Sequence, residues 1–204
     1  MLIAIKGAGD LASGIALRLY KARFNVAMSE LALPTTIRTA VSFSRAVTEG
    51  EANVEGVNAK LAKNAAEAAA LIKQGLIAVL VDPDAASLLK LKPDVLVDAI
   101  LAKANLGTRL SDAPVVIGVG PGFSAGVDCH AVVETRRGHT LGRVITEGSA
   151  LKNTGEPGEI GGYSLERLLK APAAGVFTKA ASIPRWYALA RFSVARCAAN
   201  VAGS

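Results

Sequence analysis

Aromatic residues make up 4% of this 204-residue chain, which has two histidines and two cysteines. So few rings argue against a surface that stacks nucleobases. Cys129 and Cys197 stand far apart with no C-x-x-C spacing, which fits neither a disulfide framework nor a structural zinc site. A reducing, cytoplasmic setting and no metal are therefore expected. No apolar run reaches the length that a membrane-spanning helix needs. The chain enters its first apolar run, residues 2–5, without a basic lead-in to a long hydrophobic region, so no signal peptide is expected. Charge of one sign is also scarce. With 23 Lys and Arg against 17 Asp and Glu, the balance of +6 is spread along the chain. It suggests mild attraction to phosphates and no nucleic-acid partner.

Apolar residues, in contrast, reach 51%, enough for one substantial core or one domain with a small appendage. Their periodicity alternates between strand and helix. Residues 2–5 form an apolar run that ends in glycines, and Leu11, Ile15, Leu17 and Leu19 then recur at near-helical spacing to Ala22. Residues 24–28 read as a second buried strand with Ser29-Glu30 at its end, which completes a βαβ unit. Pro34 to Arg38 looks like a proline-started helical turn, and residues 54–61 alternate like an exposed strand. Asn64 is a natural N-cap for an alanine-rich helix over 65–74 that stops at Gly75. Residues 77–81, 94–97 and 114–117 read as buried strands, with a short helix near 84–91. Beyond Gly126, residues 130–134 and 142–146 look like two strands joined through a turn, and 148–162 like a long loop.

These elements predict an α/β, Rossmann-like fold with a mostly parallel sheet, helices on both faces and a small carboxyl-terminal β-rich extension. The expected division is a nucleotide-binding domain over 1–126, the extension with its glycine-rich loop over 127–177, and an atypical tail over 178–204.

Chemistry concentrates where strands end. In Gly7-Ala8-Gly9-Asp10-Leu11-Ala12 the first glycine permits a tight turn, the second lets backbone approach a pyrophosphate, and Ala12 allows close packing of helix on strand. The first helical amides then face the anion. Glu30 supplies the acid about 20 positions on that such sites place on a ribose diol, favouring NAD-type over NADP-type ligands. A turn that merely packs a helix on a sheet is the plainer alternative. Asp82, Asp98 and the turn through Gly118, Gly120 and Gly122 follow other strands and are expected to converge on the same edge. Lys103, Asn105 and Arg109 offer donors nearby. Aspartates at strand ends also commonly cap the next helix, and loop cations are commonly solvated. His130 and His139 match no standard metal spacing, and strand alternation puts His130 and Cys129 on opposite faces. Ser13, Ser124 and Ser149 lie near glycine turns, but none has a nucleophile setting.

A longer series of motifs carries a resemblance. It comprises Gly-Ala-Gly-Asp-Leu-Ala-Ser-Gly at 7–14, Pro-Thr-Thr-Ile-Arg at 34–38, Ser-Phe-Ser-Arg-Ala-Val at 42–47 and Glu-Gly-Glu at 49–51. Val-Asp-Pro-Asp at 81–84, Lys-Pro-Asp-Val-Leu-Val-Asp-Ala-Ile-Leu-Ala-Lys at 92–103, Asn-Leu-Gly-Thr-Arg at 105–109 and Gly-Pro-Gly-Phe-Ser-Ala-Gly at 120–126 continue it. Glu-Thr-Arg-Arg-Gly-His-Thr-Leu-Gly-Arg-Val at 134–144 and Asn-Thr-Gly-Glu-Pro-Gly-Glu-Ile-Gly-Gly-Tyr at 153–163 close it. In this order, over residues 2–177, the chain resembles the selenium-dependent molybdenum hydroxylase system proteins, bacterial accessory proteins related in role to the XdhC/CoxI type. The resemblance implies a cytoplasmic Rossmann-like maturation factor for a molybdenum hydroxylase and assigns no catalytic residues. After Val176-Phe177 the sequence departs from the family pattern. Where an Ile-Gly-Asp stretch and a glycine-punctuated β segment are expected, Ser182-Ile-Pro-Arg-Trp186 leads into an Ala- and Arg-rich tail. A reading-frame change, a shortened chain or real divergence would each account for it, and residues 184–204 are expected to be helical or disordered.

The leading expectation is therefore an accessory protein that binds NAD, a related dinucleotide or molybdopterin cytosine dinucleotide, and serves a molybdenum hydroxylase apo-enzyme. The alternative is an NAD-dependent oxidoreductase acting on a small molecule, with Lys103 or His130 as proton donor. No membrane partner is expected, and a homo-oligomer is compatible with either reading.

Overall fold

The computed structural model describes residues 1–152, 159–164, 176–178 and 196–198. Strand β1, Leu2–Lys6, is buried along almost its whole length. Its side chains alternate between two cores: Ile3 and Ile5 join one cluster, and Ala4 the other. That two-sided burial follows from the period-2 direction of strand side chains and requires helices on both faces.

Helix α1, Asp10–Lys21, lays Ala12, Ala16 and Leu17 on the first face. Helix α2, Arg45–Glu49, adds Ala46 to that face. Helix α3, Ala65–Lys73, and α4, Ala86–Leu89, contribute Ala68 and Leu88 to the opposite face. The Asn64 side chain accepts from the Glu67 amide at 3.0 Å, the N-cap bond that the sequence predicts.

The remaining strands are β2 (Asn25–Glu30), β3 (Glu51–Val54), β4 (Val57–Ala62), β5 (Ile77–Val81), β6 (Val95–Asp98), β7 (Val115–Val119), β8 (Ala131–Val133) and β9 (Val144–Ile145). They form one sheet in the order β3-β4-β5-β2-β1-β6-β7-β8-β9. Only the outermost pairs, β3 with β4 and β8 with β9, are antiparallel. The other neighbours run parallel. This is an α/β fold of the Rossmann-like, doubly wound kind. From β1 the chain adds β2, forms the edge hairpin β3–β4, inserts β5 between β4 and β2, and then crosses to place β6 and β7 on the other side of β1. The order reverses between β1 and β6, and a crevice opens outside the carboxyl ends of strands at such a point.

Several local expectations are corrected. Pro34 to Arg38 is irregular, and the following turn is a 3-10 segment at Thr39–Val41. The stretch read as one exposed strand is a hairpin, with Glu55 and Gly56 between β3 and β4. Strands β8 and β9 pair antiparallel as expected, yet they extend the central sheet, because β8 pairs parallel with β7.

The chain divides into two compact units, Met1–Asn153 and Thr154–Ser204. Within the second, Ile160 and Tyr163 form an antiparallel bridge, and β10 (Val176–Thr178) pairs antiparallel with β11 (Arg196–Ala198). Of the tail expected to be helical or disordered, residues 196–198 are extended strand; residues 179–195 and 199–204 lie outside the described residues. No helix of the described residues is long and apolar enough to cross a membrane.

One packing constraint gives a direct test. A Cβ at Gly118, in β7, would sit 2.5 Å from the Phe123 ring, which is itself buried. Gly118→Ala is expected to lower stability in urea denaturation by about 1–3 kcal/mol. Combined with Phe123→Leu, the total loss should fall short of the sum of the single losses, because both changes act on one contact.

Candidate functional site

The crevice at the strand-order reversal is a cleft of 620 Å³. Its floor is the turn from β1 to α1. Gly7 has φ +94°, and a Cβ there would lie 3.2 Å from the Ala99 carbonyl oxygen, so backbone from β1 and from the end of β6 meet where no side chain fits. Gly9 is the N-cap of α1, with φ −65°. A Cβ at this position would approach only the Thr36 hydroxyl, at 3.3 Å. The Ser13 amide donates to the Gly9 carbonyl, and the Leu11 amide to Asp10 Oδ1. Among the described residues the amides of Gly9, Asp10 and Ala12 have no acceptor. They are the orphan donors of a helix start, the arrangement that receives anions.

Buried hydrogen bonds hold the turn in shape. The Ala8 carbonyl accepts from the Ser44 amide at 2.8 Å and the Ser13 hydroxyl at 3.0 Å. The Ser13 hydroxyl in turn accepts from the Phe43 amide at 2.8 Å. Phe43 is wholly buried, so the segment after β2 is anchored against the turn by a side chain whose truncation typically costs about 3–5 kcal/mol. Between Glu30 and this anchor the chain passes over the cleft, which brings Thr35, Thr36, Ile37 and Arg38 to its lining.

Gly7, Gly9, Asp10, Leu11, Ala12, Glu30 and Asp82 all line the cleft as the sequence suggests. Ala8 does not; it is buried beneath it. Glu30 is not a free carboxylate. Its Oε2 accepts from the Ala8 amide at 3.0 Å and its Oε1 from the Leu31 amide at 2.8 Å. The same group that faces the cleft therefore also fastens the glycine turn, and each oxygen keeps acceptor capacity for a further donor. Asp82 caps α4, with Oδ2 accepting from the Leu88 amide at 2.8 Å.

The expected convergence of the other strand ends is corrected. Asp98 is buried and directed to Lys6 and Thr108, with the Thr108 hydroxyl at 2.6 Å and the ammonium at 3.4 Å from Oδ2. Lys103 lines a separate 440 Å³ cleft with Gly122, Ser124, Asp128 and Lys152. Gly118 makes room for Phe123; a Cβ at Gly120 would meet Thr135, and one at Gly122 would meet backbone of Ala104. That turn therefore serves packing, and its glycines leave the first cleft. Asn105 closes on the Thr108 backbone through its side chain, and the Arg109 amide donates to Asp112.

His130 is exposed, and its Nδ1 accepts from the Val116 amide at 3.0 Å, beside the expected first cleft's sheet but outside its lining. Burial pushes the Cys129 thiol up from its ordinary range, so it stays protonated. No group of three or more His, Cys, Asp or Glu side chains able to hold a metal occurs among the described residues.

The sequence reading missed two sets of residues. Thr36 and Arg38 belong to the cleft, and the sequence signal was present: a threonine- and arginine-bearing segment begins at Thr35, shortly after the acid that ends β2. Lys6 was also overlooked. A lysine closing an apolar strand is costly to bury without a partner, and its partner, Asp98, lies 92 positions away and pairs with it in register.

The fold and the cleft together define an α/β protein with an anion-receptive turn at the strand-order reversal. Among known proteins, the chain is similar to Uncharacterized protein YqeB of Escherichia coli (strain K12), with 58% identity over 175 residues. The match covers 86% of this chain and 32% of that protein, so the chain spans about a third of the length of the curated relative it matches. No family model and no solved structure matches the chain.

Outside the cleft, Glu134 gives a pH test. Burial favours its neutral form, but the amides of Leu151, Arg136 and Thr135 outweigh this and hold the carboxyl below the usual glutamate range. The Leu151 amide donates to Oε2 at 2.9 Å and the Arg136 amide to Oε1 at 2.7 Å. A lowered folded-state pKa means that the unfolded chain binds more protons in this window. The stabilisation is therefore present above the unfolded value and lost as pH falls through the folded one. In denaturation series from pH 7 to pH 3, the stability gap between wild type and Glu134→Gln should narrow toward the acid end. A gap that stays constant would contradict this role.

Proposed function

We propose that the chain is the nucleotide-binding part of an accessory protein for a selenium-dependent molybdenum hydroxylase, and that the cleft takes a dinucleotide. NAD, a related dinucleotide and molybdopterin cytosine dinucleotide are the candidate ligands. The observation that carries the binding reading is the union of three features: the Gly7–Gly9 turn with unpartnered α1 amides, Glu30 at the end of β2, and a cleft at the strand-order reversal. Its volume lies within the range of small-molecule and cofactor sites, about 300–1,000 Å³. The hydroxylase role is supported by the ordered motif series over residues 2–177 and by nothing narrower. In that role the bound cofactor is handed to an apo-enzyme partner in the cytoplasm.

The arrangement of titratable groups favours binding over hydride chemistry. Among the described residues the lining carries Asp10, Glu30, Asp82 and Arg38 but neither lysine nor histidine, and the two proposed proton donors, Lys103 and His130, lie outside it. An NAD-dependent oxidoreductase would need one of the committed carboxylates as its acid.

Gly9→Val tests the site. The φ of −65° suits any residue, and the one neighbour within reach is a hydroxyl, so the variant should fold. Gly7 is unsuited because a side chain there strains the backbone. Calorimetric titration with NAD and molybdopterin cytosine dinucleotide should show binding to wild type. In Gly9→Val it should be weakened about tenfold or more, the equivalent of one or two lost charge-assisted hydrogen bonds. Equal binding by a folded Gly9→Val would remove this site. Turnover of NADH with a defined substrate would favour the oxidoreductase instead.

A further inference from the structure

Resting on the dinucleotide reading, we infer that the Asp10–Arg38 ion pair makes this cleft selective for an internal pyrophosphate, esterified at both ends, over a nucleotide that ends in a terminal phosphate. The argument begins with the charges that line the cleft. Three are carboxylates, Asp10, Glu30 and Asp82, and one is a cation, Arg38. A protein of net charge +6 thus presents a net negative cleft, formally −2 from one cation against three carboxylates, at the place where its backbone invites an anion.

Two of these carboxylates are already committed to backbone amides, Glu30 to Ala8 and Leu31 and Asp82 to Leu88. Asp10 differs. It occupies the first turn of α1, accepts from the Leu11 amide at 2.9 Å through Oδ1, and pairs with Arg38 through Oδ2. Its carboxylate therefore already uses a helix-start amide and the single lining cation, two groups a phosphate would seek. Arg38 can change partner at little cost. Its side chain is 76% exposed, while its backbone is held by the Ser42 hydroxyl and the Val41 amide on its carbonyl.

A phosphate entering at the amides of Gly9, Asp10 and Ala12 then meets Arg38 as an attractive partner and Asp10 as a like charge. An internal pyrophosphate carries two negative charges, one on each phosphorus, and Arg38 offsets one of them. A terminal phosphate carries about −1.5 to −2 near pH 7. The excess falls beside Asp10, and among the described residues no second cation lines the cleft to balance it. Discrimination here comes from a repulsive element, not from an added contact.

The test compares NAD with ADP, and molybdopterin cytosine dinucleotide with CDP, by calorimetric titration of wild type, Asp10→Asn and Arg38→Ala, with thermal melts to establish folding. Wild type should favour the dinucleotide in at least one pair. Asp10→Asn should tighten the terminal-phosphate ligand by roughly tenfold and the dinucleotide by less, narrowing the preference. Arg38→Ala should weaken both and widen it, since Asp10 is left unpaired. Asp10→Ser serves as a second variant if Asp10→Asn perturbs the start of α1. Retained dinucleotide binding with an unchanged preference in a folded Asp10 variant would overturn the selectivity inference while leaving the dinucleotide reading intact. Failure of wild type to bind any of the four ligands would end both.

Discussion

Lys6 and Asp98 meet inside the protein at the point where the two halves of the sheet join, and one wall of the cleft depends on that pairing. The residues are register partners at the carboxyl ends of β1 and β6, and both are nearly inaccessible to solvent. The Thr108 hydroxyl completes the group by accepting from the ammonium at 2.7 Å and donating to the carboxylate. Loss of one member would leave an uncompensated buried charge, which typically costs about 3–5 kcal/mol. The cluster also ties Thr108 back to the strand ends. Between Asp98 and Thr108 the chain supplies Ala99, Ile100, Leu101 and Leu106 to the cleft, so the wall opposite β2 is held by a buried charge pair.

The other wall is held by local backbone chemistry. Glu30 fastens the glycine turn through Ala8, and the Ser13, Phe43 and Ser44 bonds pin the segment that crosses above it. The cleft is thereby left with few uncommitted groups: orphan amides, acceptor capacity on carboxylates, and an ion pair that exchanges partners at low cost. On the proposed reading, such a site would recognise a phosphate by position and limit its charge. Among the described residues its lining holds three carboxylates and one arginine but neither lysine nor histidine, which is why the proposed reading is binding and not hydride transfer.

Much of the architecture was legible from periodicity because its causes are local. The apolar run before Gly7, the near-helical recurrence of Leu11, Ile15, Leu17 and Leu19, and Asn64 at the start of α3 each follow from short-range order, although the buried face of α1 is Ala12, Ser13, Ala16 and Leu17 and leaves Leu11 exposed. The glycine turn and Glu30 could also be placed, since strand, turn, helix and strand occur in immediate succession. The hairpin of β3 and β4 was less visible; burial alternates along both strands, but each is short and the two-residue turn at Glu55 and Gly56 leaves a pattern that reads as one strand. Convergence of the later strand ends was overestimated. All the parallel strands end at one edge, but a side chain's direction there depends on the pleat and on its partners, and Asp98 turns inward to Lys6.

By itself the sequence determined the succession of strands and helices, the position of the Gly7-Ala8-Gly9 turn and the acid that follows it. These depend on short-range sterics, capping and burial period. Tertiary structure alone decided that Arg38 faces Asp10, that Lys6 is paired with Asp98, and that Gly118 serves Phe123 instead of a ligand. Those outcomes join residues 5 to 92 positions apart through packing and charge balance, and no local pattern specifies which partner a buried or cleft-lining side chain will meet.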